Sequence, residues 1–202
     1  MKNNKIVYLL MSVVVGLLAF TMSGLMACYV IWKLNNYIIA TLITGGLGAL
    51  LFSVLLMLKD KIVKMTIAGF FAMLIGLFLS FGIIEGIVYI LPKVGIFFEG
   101  SIIPDIAAIA VIAWIYGLIV GLAGYGKKAM WLFALISALV AIPFGMLVVF
   151  LNTSSDIQEF LTSINDILGQ FDLNFLSISI ALGVGLGLSN GLYNMSVKKS
   201  VM

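Results

Sequence analysis

Six long apolar runs alternate with short polar interruptions along this chain. The runs cover residues 6–32, 37–58, 65–91, 105–125, 129–151 and 175–194, almost without charge. A helix of about 20 apolar residues crosses a hydrocarbon core of about 30 Å. Inside that core each backbone N–H and C=O must find its partner within the chain, so every run is predicted to be an α-helix. The interruptions holding Lys33, Lys59-Asp60-Lys61 and Lys127-Lys128 read as tight turns, and Pro92 stops the third run. The expected fold is all-α: a polytopic six-transmembrane-helix bundle, with residues 1–202 forming a single membrane-embedded domain.

The connection before the sixth run has a different pattern. Ile157, Phe160, Leu161, Ile164, Ile167, Leu168 and Phe171 follow the i, i+3, i+4, i+7 spacing of one helical face, opposite Asp156, Glu159 and Asp166. Ser155 with Gln158 forms a capping box, and Gly169 suits a C-cap. Residues 155–169 are therefore predicted to form an amphipathic helix lying flat on the extracytoplasmic membrane surface.

Lysine placement sets the expected orientation. Lys2, Lys5, Lys59, Lys61, Lys64, Lys127, Lys128, Lys198 and Lys199 fall on one side of the six runs, and only Lys33 and Lys93 on the other. Lysine-rich short loops stay inside, so a multi-pass plasma-membrane protein with both termini cytoplasmic is expected.

Small residues recur at helical spacing in every run. Gly16 in the first, Gly45 and Gly48 in the second, and Gly82 and Gly86 in the third are predicted to be helix-packing positions. So are Gly117 and Gly121 in the fourth run, and Gly183, Gly187 and Gly191 in the sixth. Helices in lipid associate through close backbone approach, which small residues permit.

Composition narrows the chemistry. The chain is 63% hydrophobic and 9% charged, against roughly 45–50% and 25% for soluble domains. It has no histidine and a single cysteine, Cys28. That removes His-ligated metals, Ser–His catalysis and multi-cysteine sites. No enzyme activity, metal or cofactor is expected, and no nucleic-acid partner. The expected surroundings are the lipid bilayer and either other membrane subunits or further copies of the chain.

Glu85 is the only charged residue well inside a run. A carboxylate at a helix centre costs about 2.5–3.5 kcal/mol on insertion scales, less near the interface, and such residues usually face a bundle interior or a wet cavity. Glu85 is therefore expected to mark the inward face of its helix, with Tyr89 one turn away as a hydrogen-bond donor. The stretch Gly82–Tyr89 can also be laid against Gly187–Asn194, both reading Gly-apolar-x-polar-Gly-apolar. That match suggests a 3+3 inverted repeat, as in many transporters. Together these features give Glu85, Tyr89, Asn190 and Asn194 as the expected ligand-binding residues. Two functions are then open. One is a membrane transport protein, or an embedded transporter subunit, binding a small solute or ion within the bundle. The other is a non-transporting structural or regulatory subunit of a larger membrane complex.

Overall fold

The computed structural model describes residues 2–90, 93, 102–153 and 173–197. Those residues are helical except for short turns, and six helices are long and apolar enough to cross a membrane. They are α1 (Lys2–Leu34), α2 (Tyr37–Leu55), α3 (Ile62–Ile90), α4 (Ile102–Tyr125), α5 (Lys127–Thr153) and α6 (Leu173–Val197). The amphipathic helix expected over residues 155–169 lies outside the described residues.

The turns use local chemistry that the sequence spells out. Asn35 ends α1 in the left-handed region (φ 47°), which asparagine tolerates, and its N–H donates to the Ile31 carbonyl. The Asn36 side chain then accepts from the Ile39 N–H at 3.0 Å and caps α2. Between α4 and α5 a single residue, Gly126 at φ 83°, reverses the chain. Met57 (φ 55°) takes the corresponding left-handed position after α2, and the short helical turn Lys59–Lys61 leads into α3. Lys5, Lys61, Lys64, Lys127 and Lys128 thereby gather at one end of the bundle, while Lys33 stands at the other.

Each helix packs on its neighbours in sequence, and α6 closes the ring against α1; α4 also touches α6 across it. The ring is filled. Phe20, Phe52, Met65, Met73, Tyr116, Phe133, Leu182 and Leu186 are all buried in the core. Many small polar side chains of the spans also face inward, with Ser12, Ser23, Thr41, Thr44, Ser53, Ser137, Ser189 and Asn190 fully buried. Large apolar side chains such as Met22, Phe71, Phe78, Leu135 and Leu139 cover the outside. An apolar exterior of this extent is what hydrocarbon solvates and water does not.

Glycine decides where helices touch. Gly16 and Gly183 lie so close that a β-carbon on either would meet the carbonyl oxygen of the other. The antiparallel α1–α6 contact continues with Gly187 against Ser12 and Val13 and Gly191 against Leu9. Gly45 and Gly69 form the same reciprocal contact between α2 and α3, and Gly48 lies against the Phe20 ring. Gly117 faces the Phe133 carbonyl across the α4–α5 contact, and Gly121 faces Phe133 and Met130. Gly82 and Gly86 differ: among the described residues, nothing lies within 4 Å of where their β-carbons would be.

Helix lengths explain that exception. Helix α2 spans 19 residues and α3 spans 29, about 28 Å against 43 Å at 1.5 Å per residue. They are joined by a tight turn at the lysine-rich end, so α2 stops near the level of Ser80. Buried positions on α3 stop there too, and the described side chains from Phe81 to Ile90 are exposed or half-buried.

This packing yields a paired expectation. Gly183→Ala forces a β-carbon against the Gly16 carbonyl and should destabilise the fold by about 1–3 kcal/mol. Gly82→Ala meets no neighbour, gains helix propensity, and should be neutral or stabilising by up to about 1 kcal/mol. Reversible unfolding in mixed micelles separates the two, and equal losses would contradict the α1–α6 contact described.

Candidate functional site

The four residues expected to form a site fall into two groups at opposite ends of the bundle. Asn190 and Asn194 belong to a polar network at the lysine-rich end. Glu85 and Tyr89 sit on the projecting end of α3. Lys61, which directly precedes α3, has its Nζ 4.4 Å from the centre of the Tyr125 ring, and Tyr125 bonds Asn190. From Ile62 to Glu85 is a further rise of roughly 35 Å along α3. The two groups do not meet.

Asn190 is the hub of the first group. The Tyr125 hydroxyl donates to its Oδ1 at 2.6 Å, and Asn194 Nδ2 donates to the same oxygen at 2.9 Å. Its own Nδ2 donates to Ser12 Oγ at 3.0 Å and to the Tyr8 hydroxyl at 3.4 Å. Both lone pairs of the amide oxygen and both amide protons are thus used. The bonds tie α1, α4 and α6 together. Tyr125 also stacks on Phe133 at 4.9 Å and meets Tyr193 edge-on at 5.4 Å. Closed in this way, the network is a lock between helices, because every polar atom of Asn190 is already occupied.

Tyr8, Ser12, Tyr125 and Lys61 were absent from the expected site. Depth gives the missing signal: Tyr8 and Ser12 lie one turn apart near the start of α1, and Tyr125 lies beside the Gly126 turn, all at the end where Asn190 must lie. Reading residues by depth as well as by helix brings them together.

The second group departs from expectation in orientation. The sequence placed Glu85 on the inward face, whereas it is exposed, as are Gly82 and Tyr89. Rotation about the helix axis is the reason. Gly69, Met73, Gly76 and Ser80 are buried and set the inward side of α3, and a β-carbon on Gly76 would lie 3.2 Å from Ile112 Cα. At about 100° per residue the step from Gly76 to Glu85 amounts to about 180°. Glu85 must therefore face away from the α3–α4 contact. Tyr89 is 68% exposed, with Lys93 Nζ 3.6 Å from its ring centre, and no hydrogen bond joins it to Glu85 among the described residues. The two octapeptides compared as a repeat consequently have unlike surroundings: Gly187 and Gly191 are clamped against α1, and Gly82 and Gly86 are bare.

A further polar contact spans the middle of the bundle. Residues Ile43–Leu47 of α2 form one π-helical turn, and there the Tyr116 hydroxyl of α4 donates to the Gly45 carbonyl at 2.5 Å. Tyr116 also meets the Phe20 ring edge-on at 5.7 Å. The hydroxyls of Thr41 and Ser80 are engaged within their own helices, by the carbonyls of Tyr37 and Leu77. Thr44, inside the π turn, has a buried hydroxyl with no partner among the described residues. Among the described residues no group of three acidic, cysteine or histidine side chains is placed to hold a metal.

No protein-family model, curated protein or solved structure matches this chain.

The Asn190 lock is testable by a double-mutant cycle. Tyr125→Phe and Asn190→Ala should each cost about 1 kcal/mol, with a coupling of about 0.5–1.5 kcal/mol between them. Strictly additive losses in reversible unfolding would show that the Tyr125–Asn190 bond contributes nothing.

Proposed function

We propose that the protein is a non-transporting subunit of a membrane complex, attached to its partner through the projecting end of α3. The observation that carries this reading is a coincidence of position. The one carboxylate well inside a span, and the only two helical glycines described that meet no described atom, share one exposed to half-buried stretch of about two turns. Every other helical glycine described has an atom within 3.2 Å of where its β-carbon would lie. This chain keeps glycine where another helix comes close, so glycines that meet no described atom on a lipid-covered helix are read as the seat of a helix from another protein.

The transport reading draws less support from the geometry. It put Glu85 in a site within the bundle, and Glu85 is exposed. Aromatic and methionine side chains fill the centre of the ring, and the polar atoms of Asn190 are saturated by the protein. Under the lysine rule the Asn190 end, with both termini, lies in the cytoplasm of a plasma-membrane protein, and the projecting end of α3 faces outward.

Particle mass in native-lipid nanodiscs provides the test. The wild-type chain of 21.8 kDa should run as part of a larger complex. Gly82→Leu with Gly86→Leu should reduce the complexed fraction by about tenfold or more, while Leu135→Ala, on the lipid face of α5, leaves it unchanged. A wild-type chain that runs alone, and that conducts ions or solute when reconstituted by itself, would return the transport reading.

A further inference from the structure

The exposed end of α3 carries information about what binds it, and the following rests on the docking role just proposed. We infer that the occupant is a transmembrane helix from a different protein, and that it brings a cationic side chain to Glu85. Three observations on this chain lead there.

The first is shape. Gly82 and Gly86 stand one turn apart, the spacing that Gly183 and Gly187 use in α6. There the small residues admit a whole helix, α1, to backbone contact with Gly16, Ser12 and Val13. The same spacing left open on α3 fits a helix and not an isolated side chain.

The second is charge. Glu85 has no hydrogen bond or ion pair among the described residues. It lies about one turn beneath Tyr89, whose ring carries the Lys93 ammonium, an aromatic and a lysine of the kind that mark the membrane boundary. A carboxylate at that depth gains most from a lysine or arginine meeting it out of water. Lys93 itself is turned onto the Tyr89 ring, and the other lysine at this end, Lys33, is turned onto Trp32 at 3.7 Å. Neither supplies the counter-charge.

The third observation excludes the simplest alternative. Two copies of this chain related by a two-fold axis along the membrane normal present equal depths to each other. Gly82–Gly86 contact between copies would then set Glu85 beside its own equivalent, two like charges in a poorly solvated place. Anionic lipid headgroups are disfavoured for the same reason. A helix with a basic residue satisfies both the space and the charge.

The test uses the purified full chain in phosphatidylcholine vesicles and three synthetic leucine–alanine transmembrane peptides. These carry lysine, norleucine or glutamate about one turn beneath the outer interface, and binding is read by energy transfer. The lysine peptide should bind roughly three- to tenfold tighter than the norleucine peptide. The glutamate peptide should bind most weakly. Glu85→Gln, which keeps size and helix propensity, should bring the lysine-to-norleucine ratio to about one, and Gly86→Leu should remove binding of all three. Equal binding of the lysine and norleucine peptides overturns the inference, and so does a ratio that survives Glu85→Gln. If those equal affinities are both lost in Gly86→Leu, docking on α3 stands and only the cationic partner falls. Energy transfer between two labelled copies of the chain that persists in Glu85→Gln would assign the face to self-association and overturn the inference as well.

Discussion

Helices already immersed in hydrocarbon gain nothing from hiding apolar side chains against one another, because lipid tails solvate leucine as well as another leucine does. What remains is the density of contact, and density is greatest where two backbones touch. The reciprocal approach of Gly16 and Gly183 is the clearest instance, repeated by Gly45 with Gly69. Once these crossings are made, small residues must lie where the helices touch, while bulky side chains fill the space between the crossings or face outward. Serine joins glycine in this role: Ser137 lies between Gly117 and Gly185, where it is valued for its size and its buried hydroxyl has no partner.

The same solvent makes polar groups decisive. In water the Asn190 amide would exchange protein partners for solvent at little loss, whereas in the membrane each unmatched donor or acceptor carries a desolvation penalty. Most hydroxyls avoid it by bonding back to their own helix, as Ser53, Ser179 and Ser189 do. Asn190 cannot be satisfied that way and recruits Tyr8, Ser12, Tyr125 and Asn194 from three helices. Tyr116 does the same work at mid-depth, reaching across the ring to the Gly45 carbonyl in the π turn of α2. A side chain entering the helix ladder is a recognised cause of such local irregularity.

Against this background Glu85 stands apart. Asn190 and the buried serines and threonines are turned inward, while this one is turned out, on the part of α3 that α2 is too short to cover. An acid without an ion pair and two glycines without a contact among the described residues, on a helix longer than its neighbour, make this face unlike the others described. Elsewhere on the described helices the outward surface is built mainly of apolar side chains such as Phe71, Leu135 and Leu139. The docking role proposed above rests on that face, and the Asn190 end holds three helices together.

Hydropathy and length are properties of each segment alone, and so the six spans, their turns and their small-residue stripes could be read directly from the sequence. The capping at Asn36 and the reversal at Gly126 were equally local. Rotation is different. Helices that are apolar all round carry no amphipathic signal to say which side faces in. In α3 only the spacing between Gly76 and Glu85 held a clue, and it became decisive once Ile112 was seen to lie against Gly76. The tertiary structure also decided which residues at one depth meet. Tyr8, Tyr125 and Asn190 are far apart in the chain and converge because glycine contacts fix how far each helix slides past the next. Whether an acid points into a site or out toward a partner depends on that rotation and that slide, which no single segment encodes.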